Sequence, residues 1–257
     1  RRIEMLKRNL KNLFVLSVLS LLPALAAQET EKKLVAYWNF DEKDGEICRD
    51  VSGNRHDLKI ANNMRGVKRV EGRKGMALHF IAEKKGERNQ AGAASMINNF
   101  NVDFTKGFTF ECWVKMDADA EWPRRTYNIY TNAPGNYGPG FIVFFNWRYY
   151  TLLNGPGGKD GHKTKWEAAA LTPDLRGQWV HLAATYDGKR GRMYVNGECK
   201  AETKTDVQAY GRKNSWPTIG SGWNGLQNGF PGIIDEVRIY NYALTPTEIV
   251  QHAKLDD

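Results

Sequence analysis

Cysteine is scarce in this chain, with three in 257 residues: Cys48, Cys112 and Cys199. They show no metal-ligand spacing, which excludes a zinc-finger type of site, and their low number excludes a fold built on disulfides. Cys112 lies in an apolar strand pattern and reads as a buried thiol. In an exported protein one pair is free to bridge, and Cys48 with Cys199 is the pairing left open. The five histidines, His56, His79, His162, His181 and His252, are scattered without a shared motif. Catalytic signatures are missing too: no Gly-x-Ser-x-Gly, no His-Glu-x-x-His and no phosphate loop. No RNA- or DNA-binding motif, internal repeat, linker or low-complexity tract interrupts the sequence.

Long hydrophobic runs are also missing. Leu13 to Leu22 is apolar apart from Ser17 and Ser20, which is half of the ~20 residues a membrane span needs. Lys7, Arg8 and Lys11 precede it, Pro23 breaks it, and Ala24-Leu25-Ala26 supplies small residues for cleavage. That order predicts a secretory signal over residues 1–27, starting at Met5, and a domain over 28–257 that is secreted, periplasmic or at the cell surface. No membrane span is expected in the mature protein. Removing residues 1–27 takes five basic residues and one acidic from the 37 and 29 of the whole chain, leaving 32 against 28, or +4. A balance that mild is no nucleic-acid footprint.

What is present is an ordinary globular mixture, 41% hydrophobic and 26% charged, with 12% aromatics. Strand signals fill the chain from Leu34 onward. The predicted strands are Leu34–Phe40, Met76–Ile81, Phe108–Lys115, Tyr127–Thr131, Phe141–Phe145, Tyr149–Leu153, Trp179–Tyr186, Arg190–Val195, Lys200–Thr205, Trp216–Gly220 and Ile233–Tyr240. Turn residues separate them, as at Ser52-Gly53-Asn54, Asp187-Gly188 and Asn196-Gly197. Phe108, Phe110, Cys112 and Val114 share one face of their strand, which should be core. One helix is expected, opening on the capping box Thr245-Pro246-Thr247-Glu248. Many short strands in one domain point to a β-sandwich or barrel.

Six blocks, in order from Tyr37 to Thr245, carry a resemblance. They are Tyr37-Trp38-Asn39-Phe40-Asp41 with Asp50-Val51-Ser52-Gly53-Asn54; Gly75 to Phe80; Phe108 to Lys115; Gln178 to Gly188; Met193 to Gly197; and Gly232 to Asn241 with Ala243-Leu244-Thr245. Together the chain resembles the laminin-G-like jelly-roll domains of the concanavalin A-like lectin and glucanase superfamily. The resemblance implies an all-β fold, two antiparallel sheets packed as a jelly-roll sandwich, followed here by a short C-terminal helix. It also implies glycan or protein binding, often with a structural calcium ion.

Asp235 follows Gly232-Ile233-Ile234 and precedes Val237, so it lies within an apolar strand, and a buried carboxylate needs a partner. In the resembling folds the matching Asp binds calcium with carbonyls of the first strand and the second block, here Asn39 and Gly75; Asp41 offers a further carboxylate oxygen. The competing reading pairs Asp235 with Arg238 or an N–H. Asp50 and Asn54 are lesser candidates. The superfamily also contains retaining glucanases, which need two carboxylates ~5 Å apart. Glu42-Lys43-Asp44-Gly45-Glu46 matches their alternation but puts Lys43 and Gly45 where apolar residues belong, so it reads as a solvated loop. Phe108 to Lys115 holds only Glu111. His181 reads as a structural histidine bonded to a neighbouring strand.

Aromatic and basic residues interleave between 122 and 166. From this group Trp122, Trp147, Tyr149, Trp166, Arg124 and Arg148 are the candidate ligand contacts, the rings for stacking on sugar faces. The interleaved charge points to an acidic glycan, and a solvated rim accounts for it equally. The loop Asn154 to Gly161 either lines a site or connects strands. The function expected is a secreted, non-catalytic carbohydrate-binding or adhesion module with a structural calcium. The alternatives are a divergent glycan-cleaving enzyme, hydrolase or lyase, on the same jelly roll, or a protein-interaction domain.

Overall fold

Among the described residues, sixteen strands pair into two antiparallel sheets, and one helix follows the last strand. The structure, a computed structural model, describes residues 31–60, 66–81, 94–96, 100–121, 126–132, 140–155, 166–205, 217–222 and 228–254. Lys32–Asp257 forms one compact unit.

The first sheet contains β1 (Leu34–Trp38), β4 (Val67–Glu71), β5 (Met76–Phe80), β7 (Phe108–Met116), β12 (Val180–Tyr186), β13 (Arg190–Val195), β14 (Glu198–Lys204) and β16 (Gly232–Tyr240). Its order is β14-β13-β12-β7-β16-β5-β4, with β1 also paired to β16, so the first strand meets the last. The second sheet contains β2 (Ile47–Cys48), β3 (Leu58–Ile60), β6 (Ala94–Met96), β8 (Tyr127–Thr131), β9 (Gly140–Asn146), β10 (Tyr149–Gly155), β11 (Trp166–Leu171) and β15 (Thr218–Ile219). Its order is β11-β10-β9-β8-β15-β6-β3-β2. This is the expected jelly-roll sandwich.

Period-two alternation builds the core between the sheets. Phe108, Phe110, Cys112 and Val114 of β7 point inward, as predicted, and meet Tyr130, Phe141, Val143 and Phe145 of the second sheet. The rings of Phe108 and Phe141 stack at 4.1 Å and 9°, and those of Trp166 and Tyr186 at 5.2 Å, joining the sheets across the middle. Each such ring contributes on the order of 1.5–3 kcal/mol by leaving water.

The opposite face of β7 is buried as well. There Thr109 Oγ1 donates to the Tyr242 carbonyl at 2.8 Å and accepts from Leu244 N at 2.8 Å. These bonds lead into α1 (Pro246–Lys254), whose Ile249 packs with Ala183, Tyr194, Tyr240 and Leu244 on the outside of the first sheet. The capping box forms as read: Thr245 N and Oγ1 donate to Glu248 Oε2 at 2.6 and 2.7 Å.

Two turns show what hairpin chemistry asks for. Asn196 and Gly197, between β13 and β14, both adopt positive φ, 51° and 81°, the conformation Asn-Gly provides cheaply. Between β9 and β10 the two-residue turn is Trp147-Arg148, and Trp147 takes φ 56°. β2, β3, β4, β6 and β11 are not among the predicted strands. β11, Trp-Glu-Ala-Ala-Ala-Leu, is rich in good helix formers, and burial of alternate residues against the first sheet overrides that preference. The signal segment 1–27 and Trp216 lie outside the described residues.

Candidate functional site

Asp235 and Asp41, two of the expected calcium ligands, both accept N–H groups at the β4–β5 turn. Asp235, on β16, is fully buried. Its Oδ2 accepts the backbone N–H groups of Arg73 and Lys74 at 2.8 and 3.1 Å, and its Oδ1 that of Glu236 at 2.8 Å. The partners are therefore N–H groups, not Arg238, which pairs with Glu236. Burial lifts Asp235 to about 7, and those N–H bonds only partly oppose the rise. On the same turn, Asp41 Oδ1 accepts Met76 N at 2.8 Å, and Asn39 Nδ2 donates to Asp41 Oδ2 at 2.6 Å. Gly75, at φ 61°, holds a conformation that suits glycine, and a Cβ there would push the Asp41 carboxylate from its place.

A cation fits this place in one respect: a fully buried carboxylate has N–H dipoles for its partners, and burial raises its pKa. Among the described residues no three His, Cys, Asp or Glu side chains cluster as metal ligands. A calcium ion here would thus rely on carbonyl oxygens beside Asp235 and Asp41. Asp50 and Asn54 have structural work instead. Asp50 accepts from the backbones of Tyr37, Ser52 and His56, and Asn54 donates to Leu34 and Val35 carbonyls.

The carboxylate alternation at residues 42–46 is a loop, as expected. Glu42 binds the buried Arg69 and the Arg49 N–H, and Glu46 pairs with Lys59. Arg69 also reaches the carbonyls of Phe40, Gly45 and Ile47, tying the loop to β4. All three cysteines are free; Cys48 and Cys112 are buried, and Cys199 is exposed on β14.

Glu111 was visible in the sequence, but its surroundings were not. It is fully buried on the outer face of β7, where His252 Nδ1 approaches its two oxygens at 2.9 and 3.0 Å and Tyr240 Oη donates at 3.2 Å. His181 Nε2, on the adjacent β12, lies 3.7 Å away. Burial pushes the Glu111 carboxyl up, but the two imidazoles outweigh it and hold it at about 2. The Glu111 bond in turn raises His252, against its own burial.

The aromatic candidates separate by exposure. Trp147 is 63% exposed, Tyr149 40%, and Leu171, directly opposite Tyr149 on β11, 57%. Arg148, between the two rings, is exposed too, and its carbonyl accepts the Thr172 N–H at 2.9 Å. Trp166 departs from expectation: only 6% exposed, it stacks on Tyr186 and covers Gly191, so its ring belongs to the core. Trp122 and Arg124 lie outside the described residues. Leu171 had no signal in the sequence, because the register of β10 against β11 is what places it beside Tyr149.

A family model described as the concanavalin A-like lectin/glucanases superfamily matches residues 89–250. Over 81 residues, 30% of this chain, it is 38% identical to pappalysin-1 of Mus musculus, and the match spans 5% of that protein's length. Among solved structures, domain 4 of AbnA, a GH43 extracellular arabinanase from Geobacillus stearothermophilus in complex with arabinotriose, superposes with a TM-score of 0.65 at 22% identity. That match covers 88% of this chain and 100% of the other. The binding domain of Paraclostridial Mosquitocidal Protein 1 superposes with a TM-score of 0.63 at 17% identity, over 86% of this chain and 51% of that one. At these identities the likeness is one of fold.

Proposed function

Since this chain belongs to the concanavalin A-like lectin/glucanases superfamily, we propose that it is a carbohydrate-binding module acting outside the cytoplasm, with the β9–β10 hairpin tip as its glycan platform. The observation that carries this is Trp147. A two-residue hairpin turn calls for Gly or Asn at positive φ, and the chain uses Asn-Gly for that purpose at 196–197. At 147 it places its bulkiest residue in the same conformation, with the ring turned out to water beside Tyr149. A local rule broken at an exposed aromatic on a rigid hairpin is the mark of a contact residue. Sugars stack their C–H faces on such rings, and Arg148 supplies donors for hydroxyl or carboxylate oxygens. The neighbours support the reading by what they bind: the arabinanase domain is in complex with arabinotriose.

A glycan array with residues 28–257 tests it. Binding that Trp147→Ala weakens tenfold or more, with the fold intact, is the expected result. No binding at millimolar glycan would overturn the lectin reading in favour of protein interaction, and release of reducing ends would turn it to a cleaving enzyme.

Calcium belongs to the same proposal as a structural ion. Asp235 and Asp41 would hold it together with the carbonyls of Asn39 and Gly75. Bound, it would neutralise Asp235 and tie the first and last strands to the β4–β5 turn.

A further inference from the structure

Two arginines share one carboxylate beside the Trp147 hairpin. Thr172, which follows β11, is pinned to the turn: its N–H and its Oγ1 both donate to the Arg148 carbonyl, at 2.9 and 3.3 Å. Asp174 comes two residues later. Arg176 takes it in a fork, Nε donating to Oδ1 at 3.0 Å and Nη2 to Oδ2 at 2.7 Å, while Nη1 donates to the Ala120 carbonyl at 2.7 Å. The Arg176 bonds hold the Asp174 carboxyl below its ordinary value, and Arg148 is near enough to add to that effect. Arg148 is exposed, and among the described residues its guanidinium makes no ion pair.

Two positive charges therefore stand against one negative, and that one is already forked by Arg176. Glu167, the acid of β11, lies four residues from Leu171, about 13 Å at ~3.3 Å per residue. Exposed charges that far apart are largely screened at ~0.1 M salt, where the Debye length is ~10 Å. The hydrogen-bonding chemistry of the tip leans the same way. Trp147, Arg148 and Tyr149 are consecutive, with Cα atoms ~3.8 Å apart, so a ligand lying on either ring is within reach of the long arginine side chain. Indole and guanidinium N–H groups only donate, and of the three side chains the Tyr149 hydroxyl alone accepts. A sugar hydroxyl brings a proton that needs an acceptor, whereas a carboxylate or sulfate needs donors alone and matches the guanidinium fork.

We propose that the ligand of this platform is a glycan bearing an oxyanion, a uronate carboxylate or a sulfate ester, and that Arg148 is the residue that selects it. The inference rests on the reading of Trp147 as a glycan platform and names the class of sugar it takes. The rings hold the sugar face, and the acid group supplies the negative charge that Arg148 lacks.

A glycan array of matched pairs tests it, with uronates beside their methyl esters and sulfated glycans beside their desulfated forms. Each pair keeps the sugar and changes the charge. Wild type should bind the acidic member about tenfold tighter or more, and added salt should narrow the gap. Preference within the uronate pairs identifies a carboxylate, and preference within the sulfated pairs a sulfate. Arg148→Gln should abolish the preference, and Arg148→Lys, which keeps the charge without the fork, should retain part of it. Trp147→Ala should weaken both members together. Equal binding of acidic and neutral members by wild type would overturn the inference, as would a preference that survives in Arg148→Gln. Neutral glycans bound as well as acidic ones, and weakened by Trp147→Ala, would leave the platform standing without it; no binding of any glycan would remove both.

Discussion

Three side chains carry most of what can be tested at the scale of the residue. Trp147 holds a left-handed conformation that disfavours a bulky side chain by roughly 1–2 kcal/mol. Trp147→Gly should therefore raise the melting temperature by about 2–8 °C, at roughly 2–4 °C per kcal/mol for a domain this size, while removing glycan binding. A variant that is destabilised would show that the ring has a packing role instead. Asp235 and His252 both respond to pH. Asp235 has its folded pKa raised to about 7 from an ordinary 3.8, so ionising it works against the fold. Its effect is absent below pH 3.8, grows as the pH rises, and is complete above 7. In chelator, Asp235 should lower the melting temperature between about pH 4 and 7. Saturating calcium should remove the Asp235 share of that fall, and Asp235→Asn should abolish the calcium effect. Identical curves in calcium and chelator would leave Asp235 to its three N–H partners alone.

At the scale of the element, α1 is fastened to the first sheet through His252 on Glu111 and Tyr240 and through Ile249 in its cluster, with Val250 and Ala253 against Gly197. His252 gains a partner on folding and its pKa is raised, so its contribution is whole below about 6.5 and is lost as the pH climbs through the folded value. Replacing His252 with Gln should cost about 1.5–3 kcal/mol at pH 6 and less at pH 9. A pH-independent loss would assign the effect to packing. Glu111→Leu is the harsher change in one respect, since it leaves His181 Nε2 and Tyr240 Oη without their acceptor. The strands show the same division between local and distant causes. β7 was legible from its alternation, and α1 from its capping box, because both signals lie within a few residues. β11 was not legible, because Glu-Ala-Ala-Ala-Leu is a helical string until β10 on one side and the packing of Trp166 on Tyr186 hold it extended.

Within Lys32–Asp257 the first strand of the sandwich pairs with the last, so β1, β5 and β7 each lack a neighbour until β16 is in place. Lys32–Asp257 is the compact unit, and the order of basic, apolar and small residues in 5–27 predicts that it leaves the cell without its leader. Mass spectrometry of the exported protein should find its N-terminus at Ala27 or Gln28; a cytoplasmic product retaining Met5 would refute this. Period-two patterning and turn residues led to a β-sandwich or barrel, and the resemblance of six ordered blocks implied the jelly roll, because each of these signals depends on neighbours along the chain. The resemblance grouped Asp235, Asp41 and Gly75; in the structure Asp235 and Asp41 each accept backbone N–H groups at the β4–β5 turn that contains Gly75. The sequence could not divide the aromatics. Trp147 and Trp166 look alike in the sequence, and only the tertiary structure puts one at a hairpin tip and the other between the sheets. The reason is physical: whether a ring meets water depends on what the opposite sheet brings against it, and those residues are far away in the chain.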